Sequence, residues 1–186
     1  MNISKQHNIS CNKVMNDYFN NYYFSKIKET LYDIRCLPTD ISKYILKFND
    51  NHCFSEIEIN KENVNSIKKI PEHVISIFIN GLDYIPEVVL ESKTVILLNV
   101  SFNGMVFEEH DFFKQLVYLN CSFCNITKLP NNLDNLLLLE SKYNNITELP
   151  YMKNIKHIDI FNCKKINKNY VQNYKQHYNL NCNITL

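Results

Sequence analysis

From residue 54 onward the apolar positions recur in a cadence that is neither strand alternation nor a helical stripe. In "LVYLNCSFCNITKLP", residues 116–130, the apolar places are Leu116, Leu119, Cys121, Cys124, Ile126 and Leu129, closed by Pro130. The spacing returns at Leu136, Leu139, Ser141, Asn144, Ile146, Leu149 and Pro150, and again at Ile155, Ile158, Ile160, Cys163 and Ile166. Upstream it is visible at Val95, Leu98, Val100, Asn103 and Met105, and then at Ile75, Ile77, Asn80, Leu82, Ile85 and Pro86. In that copy Glu72 fills the first place poorly. The earliest copy runs through Phe54, Ile57, Ile59, Val64 and Ile67, with Glu62 in the Asn place, and a frayed last copy starts near His177 with Leu180, Cys182 and Ile184.

A repeat of about twenty residues implies one supersecondary unit per copy, stacked on its neighbours because one unit cannot bury its own apolar side. Two apolar residues separated by one polar residue predict a short strand with one buried face. The Asn or Cys that follows sits where the chain leaves the strand. An inward Asn there can satisfy buried backbone amides of its own loop and of the adjoining coil. Cys124 and Cys163 replace it with a smaller group, which predicts weaker ties in those two coils. The closing Pro prevents helix continuation.

The pattern L-x-x-L-x-L-x-x-(N/C)-x-L resembles that of leucine-rich repeat proteins over residues 54 to about 184. The resemblance implies an α/β solenoid with a parallel sheet on its concave face, short irregular convex segments and six to seven repeats in residues 53–186. Residues 1–52 then form an N-terminal helical cap. Within them Val14, Tyr18, Tyr22, Ile27 and Leu31 leave a weak helical stripe. Leu37, Ile41, Tyr44, Ile45 and Phe48 fall on one face of a helix over 37–48. That helix is similar to the opening helix of an F-box, through Leu37, Pro38, Asp40, Ile41, Ile45 and Leu46. The likeness implies a surface for a Skp-type adaptor of a cullin ubiquitin ligase, made by Leu37, Pro38, Ile41, Ile45 and Leu46. The repeats begin too soon after Phe48 to leave room for the remaining F-box helices, and a plain cap is the other reading.

In a solenoid of this kind the strand residues that point away from the spine form the concave face. The register read from the sequence gives one apolar column of Val74, Leu97, Tyr118 and Leu138, continued by His157. A second is Ile79, Phe102, Phe123 and Tyr143. Between them runs a polar column containing Asn120, then Glu140 and Asp159 toward the C-terminal end. Exposed apolar columns with rigid aromatics predict a protein-binding surface made of these twelve residues. The alternatives are that the N-terminal segment folds over the face, or that the rings only stabilise stacking. The insert 103–115 predicts a convex helical turn whose Phe107, Phe112 and Phe113 belong to the core.

Composition narrows the chemistry. The 186 residues carry 20 basic and 19 acidic side chains, net +1, so no electrostatic footprint for nucleic acid is present. No apolar stretch is long enough to span a membrane, and the polar N-terminus lacks the apolar core of a secretory signal. Seven Cys, an odd number without an export signal, fit reduced thiols and a cytoplasmic setting, that of the host if the source is a virus. The 29 Asn and 2 Gly are what an AT-rich genome gives. Cys121 and Cys124 are formally C-x-x-C, but the repeat turns both inward and no second pair or His cluster follows, so no metal is expected. No phosphate-cradling loop or framed nucleophile is present, and neither a cofactor nor catalysis is expected. The expected function is non-catalytic protein binding through the concave face. The alternatives are an F-box-like substrate receptor of a ubiquitin ligase and a regulatory subunit of an enzyme such as a phosphatase.

Overall fold

The structure, a computed structural model, describes residues 55–72 and 74–186. The helix expected over 37–48, with Leu37, Pro38, Ile41, Ile45 and Leu46 as its expected adaptor surface, lies outside the described residues. Seven strands form one sheet in sequence order, every neighbouring pair parallel: β1 (Ser55–Asn60), β2 (Val74–Asn80), β3 (Leu97–Asn99), β4 (Tyr118–Asn120), β5 (Leu138–Glu140), β6 (His157–Asp159) and β7 (Asn183–Thr185). Parallel neighbours in this order require the chain to travel once around between strands, so the described residues wind as a solenoid of stacked coils. Among the described residues the helices are few: a single turn α1 (Glu87–Leu90), a 3₁₀ turn at Asp111–Gln115, and α2 (Lys168–His177).

The spine is continuous from coil to coil. Ile77, Leu98, Leu119, Leu139 and Ile158 stand in register across five strands, each 0% exposed. Two residues later Ile79, Val100, Cys121, Ser141 and Ile160 repeat this, with Ser141 the one polar member. The insert behaves as its sequence suggests: Phe112 and Phe113 are buried and Phe107 packs against them. Its 3₁₀ turn starts where the His110 side chain accepts a bond from the Phe112 N–H.

The strand-exit position is a column of Leu82, Asn103, Cys124, Asn144 and Cys163. Asn103 donates to the carbonyls of Ile79, Val100 and Ser101 at 2.8–3.1 Å and accepts from Gly81 N–H at 2.7 Å. Asn144 accepts from the N–H groups of Cys124 and Ile126 and donates to the Cys121 carbonyl and the Ser141 hydroxyl. The thiols reproduce half of this: Cys124 donates to the Val100 carbonyl and Cys163 to the Ser141 carbonyl, each at 3.0 Å. Burial raises both thiols' pKa, opposed by the backbone N–H groups of Asn103 and Asn144 respectively.

The C-terminal end departs from the expected frayed repeat. The last strand is present, yet α2 precedes it. Asn167 caps α2 by accepting from the Tyr170 N–H at 3.0 Å, and Lys175 and His177 sit in the last turn, where cations suit the helix dipole. Tyr170 and Tyr174, one turn apart, fasten it to the preceding coil. The Tyr170 hydroxyl accepts from Leu149 N–H and the Tyr174 hydroxyl donates to the Pro150 carbonyl, both at 2.7 Å.

Candidate functional site

The register corrects one coil of the expected concave face. Ser76, not Val74, pairs with Leu97, and Phe78 pairs with Asn99. Val74 and Ile79 therefore point into the spine, with 1% and 0% exposure, and neither belongs to the outward face. The cause is the run V-I-S-I-F-I, residues 74–79, in which Ile appears at every second place. Two registers then fit the apolar pattern equally, and only the pairing with β3 separates them.

The outward positions of β3–β5 fall into two environments. Leu97, Tyr118 and Leu138, with Ile75, Ile96, Val117 and Leu137 beside them, are buried although they stand apart from the spine cluster. Seven apolar side chains in one patch are too much to leave wet. The expectation that the Leu97–Tyr118–Leu138 column is open to solvent is thus corrected. The second outward column is polar and also buried. The Asn99 and Asn120 side-chain oxygens accept from the N–H groups of Ser101 and Ser122, and Asp159 accepts from Phe161 N–H in the same way. Asn120 and Asp159 thereby close the strand exits. Lys142 reaches Glu140 at 3.6 Å and Asp159 at 3.1 Å. Burial pulls its pKa down, but the two carboxylates outweigh burial and the net shift is upward. His157 is half-buried at the head of its strand.

What remains open is a stack of rings. Phe102 and Phe123 lie 4.6 Å apart and 8° from parallel, and Phe123 and Tyr143 lie 4.4 Å apart at 13°. Phe161 meets Tyr143 edge-on at 5.6 Å. Their exposures are 68%, 42%, 43% and 47% in the order Phe102, Phe123, Tyr143, Phe161. The spacing is close to the strand-to-strand distance of a sheet, about 4.8 Å, so the stack inherits its pitch from the backbone ladder. Each of the three stacked residues has positive φ, 62°, 59° and 54°, and the column is continued by Gly81 at 71° and Asn162 at 59°. For a bulky residue the left-handed region costs about 1–2 kcal/mol. The conformation is fixed from outside: Phe102, Phe123 and Tyr143 each donate their N–H to the next coil's carbonyl, on Ser122, Lys142 and Phe161, at 2.9 Å.

Against protein-family models, curated proteins and solved structures the chain gives no match. Among the described residues no group of His, Cys, Asp and Glu could hold a metal ion, and no helix is long and apolar enough to cross a membrane. Cys121, Cys124, Cys163 and Cys182 are free and buried, and burial raises each thiol's pKa. The positive-φ column and the buried layer of Ile75, Ile96, Val117 and Leu137 were not separated out by the sequence reading. The first has one signal, Gly81 standing where later coils have rings. The second has a signal too, an apolar residue just before each of β3, β4 and β5.

Proposed function

We propose that this chain is a non-catalytic protein-binding module of the leucine-rich repeat type, which holds its partner against the ring stack of Phe102, Phe123 and Tyr143. The observation that carries the reading is that three bulky aromatics sit in a costly backbone conformation and stay substantially exposed. Strain of this kind concentrates where a surface has work to do. Stacking alone could be had by burying the rings. Rigid rings supply contact area at small entropic cost, which suits anchors in an interface. Phe161 extends the patch, and the Lys142–Glu140–Asp159 cluster gives it a polar margin. A library of displayed protein fragments from the source organism, selected against the full chain, tests this. Binders should be lost on Phe123→Glu and kept on Lys128→Glu, with both variants retaining the parent's circular dichroism. Binders kept by Phe123→Glu would overturn the assignment. The buried free thiols support a reducing, cytoplasmic setting.

A further inference from the structure

The ring column ends at Gly81 for want of a side chain. Ser76 pairs with Leu97, so Gly81 falls opposite Phe102, and its φ of 71° matches the 62° of Phe102. A Cβ placed on Gly81 would meet nothing within 4 Å among the described residues, so the next rung is open at its root. Phe102 shows the consequence. Its ring is 68% exposed, against 42% and 43% for Phe123 and Tyr143, which have a ring neighbour on both sides. On the far side of the rung Asn60 pairs with Asn80, which brings exposed Lys61 into line with Gly81. There the chain turns instead, with Val64 N–H donating to the Asn60 carbonyl at 3.0 Å, and the column is not continued.

We propose that this vacant rung is a binding slot for one aromatic side chain of a protein partner, lying flat on Phe102 above Gly81 and completing the stack; this rests on the ring stack being the contact surface. The existing rungs set the shape: flat groups, within 8–13° of parallel, at 4.4–4.6 Å. A tetrahedral aliphatic group cannot keep that contact over its whole area. A cation at this rung would sit one strand from the exposed cation Lys61, whereas a ring brings no like charge there. A nucleobase has the right shape, but the net charge of +1 gives no field to hold its phosphates.

The test is a titration of the ¹⁵N-labelled full chain, followed by NMR, with N-acetyltryptophanamide, N-acetylleucinamide, N-acetylargininamide and adenosine monophosphate. N-acetyltryptophanamide should shift the amides of Gly81, Phe102 and Asn103 and bind about threefold to tenfold more tightly than N-acetylleucinamide. Gly81→Asn, which accepts positive φ and adds no ring, should keep the slot; Gly81→Phe should fill it and abolish the shifts. Equal or tighter binding of the arginine or nucleotide probe would overturn the proposal. So would shifts elsewhere, shifts that survive Gly81→Phe, or pairing of two copies through Phe102 that Gly81→Phe abolishes in sedimentation. The wild-type titrations decide even if Gly81→Phe does not fold. If Phe123→Glu loses the selected fragments while Gly81→Phe keeps them, the stack is the surface and the vacant rung is not the slot. If both keep them, the stack itself is not the surface.

Discussion

Asn144 is where one side chain is asked to do the most. It is 3% exposed and makes four hydrogen bonds, accepting from Cys124 N–H at 3.1 Å and Ile126 N–H at 3.2 Å and donating to Cys121 C=O at 2.8 Å and Ser141 Oγ at 3.0 Å. Asn144→Val fills similar space and makes none of them. The Ser141 oxygen and the Cys121 carbonyl each lose a donor, the smaller part of the loss. The two N–H groups are left buried without a partner, at about 1–2 kcal/mol each, so the loss should be about 2–4 kcal/mol. Asn144→Cys should lose less, about 1–2 kcal/mol, because Cys124 and Cys163 at the same place in their coils already bond a carbonyl at 3.0 Å. Urea unfolding gives both values as shifts in midpoint, read at constant m. A Val loss below about 1 kcal/mol, or a Cys loss as large as the Val loss, would refute the role assigned to this column.

Other expectations follow from the same geometry. Of seven thiols, four are buried with raised pKa, so no more than three should react with Ellman's reagent at pH 8 before denaturant is added, and all seven after. Lys142→Met removes the cation shared by Glu140 and Asp159 and should destabilise the chain by about 1–2 kcal/mol at pH 7, measured by urea unfolding. The folded pKa of Lys142 is raised, so its contribution is whole below the ordinary lysine value and fades as pH rises past it. The parent should therefore lose its advantage over Lys142→Met only in strong alkali. Tyr174→Phe breaks the bond to Pro150 C=O and should cost about 1 kcal/mol, seen first as faster amide exchange in α2.

The repeat made most of the architecture readable. From Leu98 to Ile158 the spine, the strand exits and the outward ring column stand where the spacing puts them, because each coil carries an apolar signature that fits one register. Coil two was misread at Val74 and Ile79 because alternating Ile residues also fit a register two places away. No local feature marks the correct one except Gly81, which is informative only once the neighbouring rings are known to need positive φ. The helix α2 was hidden because its inward side is made of buried Tyr174 and half-buried Tyr170, with Tyr178 just past its end, half-polar residues within a Lys- and Asn-rich stretch. The Asn167 cap was its clearest signal. The burial of Leu97, Tyr118 and Leu138 was one of two readings the sequence left open, since the pattern tells which way a side chain points but does not choose between an open and a covered face.

The most direct measurement is the environment of three rings. With Phe and Tyr rings labelled, nuclear Overhauser contacts should join Phe102 to Phe123 and Phe123 to Tyr143, and a soluble gadolinium chelate should relax all three strongly. Contacts from these rings to the methyls of Leu98, Leu119 or Leu139, with protection from the chelate, would place them in the spine and contradict the outward stack on which the binding surface depends.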